Sequence, residues 1–277
     1  MRSTNQLLVI DFIKSITNDY IINKNQIELL IQDVLGCEKI DLYTNKDLAI
    51  NNKQFHIISE FIERIKEGEP IQYILGKAPF YGRQFFITKD VLIPRFDTEL
   101  IIDILNEHGP CNKLLEIGVG SGNISLTIAK ENLANEIMAT DISEKQLSIA
   151  EFNKKIICPN AKVEFIIDDF LKSNLCPNEK FDVIVSNPPY IPLSQIEYLD
   201  DLVKNHEPIN ALTDGSGGYR FYKKFALIGN VLVKENGFML LEIGVDNKLE
   251  YLYDIFNNYK IQVYKDLNQK PRVIKVF

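Results

Sequence analysis

From Asp97 onward, short apolar runs alternate with helix-length amphipathic segments, and this alternation limits the fold more than any other feature of the chain. The runs are Lys113 to Ile117, Glu136 to Thr140, Lys162 to Ile166, Phe181 to Ser186, Gly237 to Glu242, Lys260 to Tyr264 and Val273 to Phe277. Parallel neighbours need a crossover of a dozen or more residues, usually a helix, and most of these runs are separated by one. The last two are not, so they must pair antiparallel. The expectation is an α/β fold: a Rossmann-like, mostly parallel seven-stranded sheet that ends in an antiparallel hairpin, unlike an ordinary dinucleotide fold.

Before this region the periodicity is helical. Ile27, Leu30, Ile31 and Val34 share one face of a segment from Gln26 to Leu35 that stops at Gly36, and Phe55, Ile58, Phe61, Ile62 and Ile65 repeat at helical steps from Gln54 to Glu67 before Gly68 and Pro70. The following stretch, PFYGRQFFITKDVLIPRFDTE, is rich in aromatic and β-branched residues around Gly82 and suits a hairpin. The expected division is a helical N-terminal domain over 1–75, a β-hairpin linker over 76–96 and a catalytic domain over 97–277.

Composition narrows the function. A net charge of −7 gives no overall attraction to nucleic acid, so a long polynucleotide is not the expected substrate. Cys37, Cys111, Cys158 and Cys176 form no Cys-x-x-Cys pair, and His56, His108 and His206 stand apart, so no metal site is expected. The run Leu7 to Ile10 is cut by Asp11, and no later run is long enough for a bilayer. A reduced, cytoplasmic protein is expected.

The first strand runs into LLEIGVGSGNISL, with Gly118, Gly120 and Gly122 at alternate positions before a helix. Glycine permits a tight turn and close approach of a ligand, and free N–H groups at the helix start favour an anionic group. A ligand-free strand-to-helix turn has the same pattern. Asn123 stands where a dinucleotide fingerprint has its third glycine, and the Gly-Lys-Ser/Thr of a P-loop is absent. The spacing fits a loop, Gly118-Val119-Gly120-Ser121-Gly122, that wraps S-adenosylmethionine. Asp141, closing the second strand, can accept from two ribose hydroxyls or cap the next helix, a role that Ser143 can also fill. At the third strand's end Asp169 can accept from an adenine amino group while Phe170 packs on the ring; capping competes there too. Glu116 can face a ligand ammonium group or hold the loop amides.

The fourth strand ends in VIVSNPPYIP. Asn-Pro is a common turn, yet this turn falls beside the expected ligand. A planar amide or exocyclic amine has its lone pair delocalised; the Asn187 side-chain oxygen and the Pro188 carbonyl can accept both N–H groups and aim the nitrogen at a methyl donor. Pro188 and Pro189 stiffen the backbone, and Tyr190 can stack on the flat group.

Together EIGVGSGNI, ATDIS, DDF and VSNPPYI resemble the class I S-adenosylmethionine-dependent methyltransferases that modify planar nitrogens. GEPIQYILG (68–76), IPRFDTE (93–99), EPINAL (207–212) and the following DGSGGYRFY resemble, more narrowly, the PrmC/HemK family of protein-(glutamine-N5) methyltransferases. The resemblance implies methylation of the glutamine side chain in the Gly-Gly-Gln loop of class I peptide chain release factors. It also implies cofactor contacts from Gly118 to Gly122, Asp141, Phe170 and Asn187, with Asn187 to Tyr190 holding the glutamine. Phe96, Glu116 and Phe170 replace the family's usual proline, aspartate and frequent tryptophan. Arg95, Thr98 and Glu99 read as a structural helix start. Two other functions are compatible with parts of the pattern: a nucleic-acid adenine or guanine amino methyltransferase, which shares the Asn-Pro-Pro-Tyr turn, and a binding module that keeps the fold without turnover.

Overall fold

The computed structural model describes residues 7–16, 23–173 and 180–277. The chain divides into two compact units, Met1–Gly76 and Lys77–Phe277.

The first unit packs α1 (Val9–Ile16), α2 (Lys24–Leu35) and α3 (Asn52–Lys66) around Phe12, Ile27, Leu30, Ile31 and Ile58. Each such side chain contributes roughly 1.5–3 kcal/mol on full burial. Asn51 opens α3 with a capping box: its Oδ1 accepts from the Gln54 N–H at 2.9 Å, and Gln54 Oε1 accepts from the Asn51 N–H at 3.0 Å. Asn23 and Gln26 do the same for α2, which stops where Gly36 turns left-handed at φ 65°. Phe55 remains 39% exposed at the edge of the α3 stripe, edge-on to Phe12.

The second unit starts with the hairpin β1 (Lys77–Phe80) and β2 (Arg83–Phe86), turned through Tyr81 and Gly82 with φ of 47° and 71°. Phe80 and Phe85 are fully buried in the same core as the main sheet, and Asn153 bonds both the N–H and the carbonyl of Phe86. The hairpin is therefore part of this unit and not a separate linker; its two inward phenylalanines find their partners there.

The main sheet contains β3 (Cys111–Ile117), β4 (Ala134–Asp141), β5 (Val163–Ile167), β6 (Phe181–Ser186), β7 (Val233–Glu242), β8 (Ile261–Lys265) and β9 (Pro271–Val276). Its order is β8-β9-β7-β6-β3-β4-β5, parallel except for β9, which is antiparallel to both neighbours. All seven expected strands form, and the closing hairpin inserts its second strand against β7. Side chains alternate between two cores. Leu114 and Val183 meet Ile101 and Leu105 of α4 (Glu99–His108) and Leu126 of α5 (Asn123–Lys130); α6 (Glu144–Ile157) adds Ala150 to this core. Leu115 and Ile184 meet Tyr222 and Phe225 of α7 (Arg220–Leu232) and Leu252 of α8 (Leu249–Ile255). Cys37, Cys111 and Cys158 are free thiols, whereas Cys176 lies outside the described residues. Among the described residues no helix is long and apolar enough to cross a membrane.

Candidate active site at the switch between two strands

The strand order reverses between β3 and β6, and in open α/β sheets a crevice forms at such a point beyond the carboxyl ends. The two ends are level here: Ile117 pairs with Ser186, whose Oγ donates to the Ile117 carbonyl at 2.7 Å. Beyond them, Gly118–Gly122 and Asn187–Tyr190 stand side by side. A Cβ on Gly118 would lie 3.9 Å from the Asn187 carbonyl oxygen.

The cleft has a volume of about 240 Å³. Gly118, Val119, Gly120 and Ser121 line it, as do Asp141, Asp169, Phe170, Asn187, Pro188 and Pro189. The three loop glycines serve different ends. Gly118 and Gly120 have φ of 82° and 53°, and a Cβ on Gly120 would meet nothing within 4 Å. Gly122 is outside the lining; a Cβ there would press on Leu126 Cδ1 at 2.9 Å and Ala150 Cβ at 3.2 Å, so its bareness lets α5 approach α6. Val119 and Ser121 line the cleft and are almost wholly buried.

Asp141 accepts from the Gly120 N–H through Oδ2 at 2.9 Å and from the Ser143 N–H through Oδ1 at 3.2 Å. Burial raises its pKa despite these bonds. Bracing and cleft lining coexist, because each carboxylate oxygen has more than one acceptor site. Ser143 Oγ accepts from the Gln146 N–H and caps α6. Asp169 pairs with Lys172 at 2.8 Å, which lowers its pKa. Phe170 is 4% exposed and stacks on Phe221, a second cleft-lining ring, with centroids 6.0 Å apart and an interplanar angle of 18°. Glu116 does not line the cleft. Its Oε2 accepts from the Ser125 N–H at 3.1 Å under the start of α5, its Oε1 has no partner among the described residues, and burial raises its pKa to about 8.

Three chain segments grip the proline turn. Asn187 Nδ2 donates to Thr98 Oγ1 at 3.2 Å, and Thr98 Oγ1 donates to Glu242 Oε2 at 2.6 Å. The Tyr190 hydroxyl donates to Glu242 Oε1 at 3.3 Å, and the ring lies where a Cβ on Gly244 would be, 2.7 Å from Tyr190 Cδ2. Tyr190 is thus anchored behind the turn and is not part of the cleft lining. The segment after residue 211 holds the turn's far side: Ile191 N–H donates to the Leu212 carbonyl at 3.0 Å, and Leu193 N–H to the Ser216 carbonyl at 2.8 Å. Asp214 shapes that segment by accepting from the N–H groups of Ser216, Gly218 and Arg220. Arg95 pairs with the buried Glu207, which also accepts from the Ile93 N–H at 3.3 Å. The stretches 93–99 and 207–222, remote in sequence, therefore converge on residues 187–190.

Sequence reasoning gives no role to Glu242, Gly218 or Phe221 and treats Thr98 as a helix start. A signal existed for Glu242: a carboxylate that ends the apolar run Phe238–Leu241 on the edge where the turn lies. Four aspartates (141, 168, 169 and 214) line the cleft, against a single cation among the described lining residues, Arg95. Among the described residues no three of His, Cys, Asp and Glu converge as metal ligands do.

Residues 21–76 match the family described as the PrmC N-terminal domain, and residues 95–205 match the methyltransferase small domain. A release factor glutamine methyltransferase of Bacillus subtilis (strain 168) is 35% identical over 262 residues, covering 91% of this chain and 90% of that protein. Proteins of the same name from Bacillus anthracis and Bacteroides thetaiotaomicron are 37% and 33% identical, covering 91% and 89% of this chain and 92% and 89% of their own lengths. Among solved structures, a methyltransferase of Pyrococcus furiosus superposes with a TM-score of 0.53 at 18% identity, covering 79% of this chain and 98% of its own, a likeness of fold.

Proposed function

The chain belongs to the release factor glutamine methyltransferase family, and from that premise we propose that it methylates the side-chain amide nitrogen of the glutamine in the Gly-Gly-Gln loop of class I release factors. The observation that carries this reading is the adjacency of Asn187 and Gly118: the amide-recognising turn and the glycine loop border one cleft.

The residues present fit S-adenosylmethionine as methyl donor. The bare positions of Gly118 and Gly120 leave room against the loop, Asp141 has acceptor capacity for ribose hydroxyls, and Phe170 with Phe221 offers an aromatic wall for adenine beside Asp169. Four aspartates suit a ligand with a sulfonium and an ammonium and disfavour the polyphosphate of a dinucleotide. Bound there, the cofactor supplies an electrophilic methyl group.

The chain's own part is positional. The Asn187 side-chain oxygen and the Pro188 carbonyl accept the two N–H groups of the glutamine amide and turn its nitrogen toward the donor. These bonds strengthen as positive charge builds on nitrogen, so they favour the transition state over the ground state. The methylated nitrogen then sheds one proton to solvent and returns to a neutral amide. Prolines 188 and 189 keep the acceptors fixed, and Tyr190, tied down at its hydroxyl, braces the turn from behind. The helical unit recruits the release factor, and the reaction takes place in the cytoplasm, where release factors act.

Mass spectrometry of release factors from cells lacking the protein tests this reading. One methyl group should be missing from the Gly-Gly-Gln glutamine. An unchanged methylated peptide would refute it.

A further inference from the structure

We infer that Glu242 is a positioning residue that sets the polarity of the Asn187 amide through Thr98, so that Asn187 shows its oxygen, and not its NH₂, to the substrate. The inference rests on the proposed role of Asn187 as an acceptor.

An asparagine side chain is nearly symmetrical in shape but opposite in chemistry at its two ends, and packing alone selects between them poorly. A flipped Asn187 would confront the substrate NH₂ with another NH₂. What selects the right end is a directional chain of hydrogen bonds. Glu242 is 1% exposed and fully enclosed at the end of β7. As a carboxylate it can only accept, so both hydroxyls that reach it must donate: Thr98 Oγ1 to Oε2 at 2.6 Å and the Tyr190 hydroxyl to Oε1 at 3.3 Å. Thr98 has then spent its only proton. The group opposite its oxygen, 3.2 Å away, has to be the Asn187 Nδ2, and Oδ1 is left for the cleft.

Among the described residues no lysine or arginine bonds the Glu242 carboxylate. Arg272 stands nearby but is taken by Asp97 at 3.0 Å and Asp266 at 3.1 Å, and the Tyr222 hydroxyl bonds the Glu242 backbone carbonyl. Burying a carboxylate with only two hydroxyl partners costs stability. A neutral or apolar residue would fold more cheaply there, but none of the neutral side chains would force both hydroxyls to point inward. Burial raises the Glu242 pKa to about 7, with the Thr98 bond and Arg272 pulling down and Asp97 pushing up. Protonation would release Thr98 from its obligation, so the lock should tighten as pH rises through neutrality.

The test is the isosteric Glu242→Gln variant, assayed for methyl transfer to a release factor from pH 6 to 9. The expected result is a kcat about 10- to 100-fold lower. KM and calorimetric cofactor affinity should stay within about threefold, and the wild-type acid limb near pH 7 should vanish. Thr98→Val should show the same loss, Thr98→Ser should restore it, and Glu242→Gln with Thr98→Val should be no worse than Thr98→Val alone, because both act through one chain of bonds. The Thr98 variants decide the matter if Glu242→Gln does not fold. A wild-type kcat and acid limb in Glu242→Gln, or additive losses in the double variant, would overturn the inference and leave the proposed function standing. Absence of transfer by the wild-type enzyme would overturn both.

Discussion

A Cβ on Gly218 would sit 2.1 Å from the carbonyl oxygen of Tyr190. The obstacle is backbone, so it cannot swing aside as a side chain can. Gly218 also has φ of 80°, a conformation that costs an L-residue about 1–2 kcal/mol. Gly218→Ala should therefore displace the turn at residues 187–190 and lower kcat by about tenfold or more, with a loss of about 1–3 kcal/mol in denaturant melts. Retention of both rate and stability would show that the turn is not clamped from this side.

Asp141 holds the glycine loop through the Gly120 N–H and, in the proposed complex, accepts ribose hydroxyls as well. Charge-assisted bonds of this kind contribute roughly 1.5–3 kcal/mol each. Asp141→Ala should loosen S-adenosylmethionine by about 10- to 100-fold in calorimetry, whereas Asn187→Ala should change that affinity far less. Equal effects from the two variants would contradict the division of labour between loop and turn.

The pH dependence of stability has a definite sign. Burial raises Glu116 from an ordinary value of 4.5 to about 8 and Glu242 to about 7, so the folded chain keeps both protons to higher pH than the unfolded chain. Their stabilising share is fully present below about 4.5 and is lost as pH rises through 7 to 8, at about 1.4 kcal/mol per pH unit per group while the proton difference lasts. Melts from pH 6 to 9 should show stability falling, and Glu116→Gln should flatten part of that fall. Activity should move in the opposite direction over the same range, because Glu242 orders the turn only when ionised. A Glu116→Gln profile parallel to the wild type would place the buried proton elsewhere.

Much of this was legible in the sequence because the physics behind it is local. The seven strands follow from β-branched apolar runs, α2 and α3 from helical periodicity with Gly36 as a stop, and the closing hairpin from a connection too short for a crossover. The loop at 118–122 and the turn at 187–190 are punctuated by glycine and proline, which leave marks that can be read one residue at a time. What supports them is not local. Thr98 and Glu242 are 144 residues apart and bonded at 2.6 Å; Arg95 and Glu207 pair across 112 residues. Such contacts depend on which strand ends meet, and β9 inserting beside β7 is what brings Arg272 near Glu242. Tyr190 shows the same limit: its composition suggests stacking on a ligand, but its hydroxyl partner and the bare Gly244 place it behind the turn.

The central claim is that residues 187–190 present fixed acceptors to a planar amide beside the methyl donor. Single-turnover transfer of labelled methyl from saturating S-adenosylmethionine to a release factor tests it most directly, comparing wild type with Asn187→Ala and the intact factor with one whose Gly-Gly-Gln glutamine is replaced by alanine. The account predicts label on the intact factor only, a rate about 10²- to 10³-fold lower for Asn187→Ala, and cofactor affinity within a few fold of wild type. Equal rates for Asn187→Ala and wild type, or label on the factor that lacks the glutamine, would contradict it.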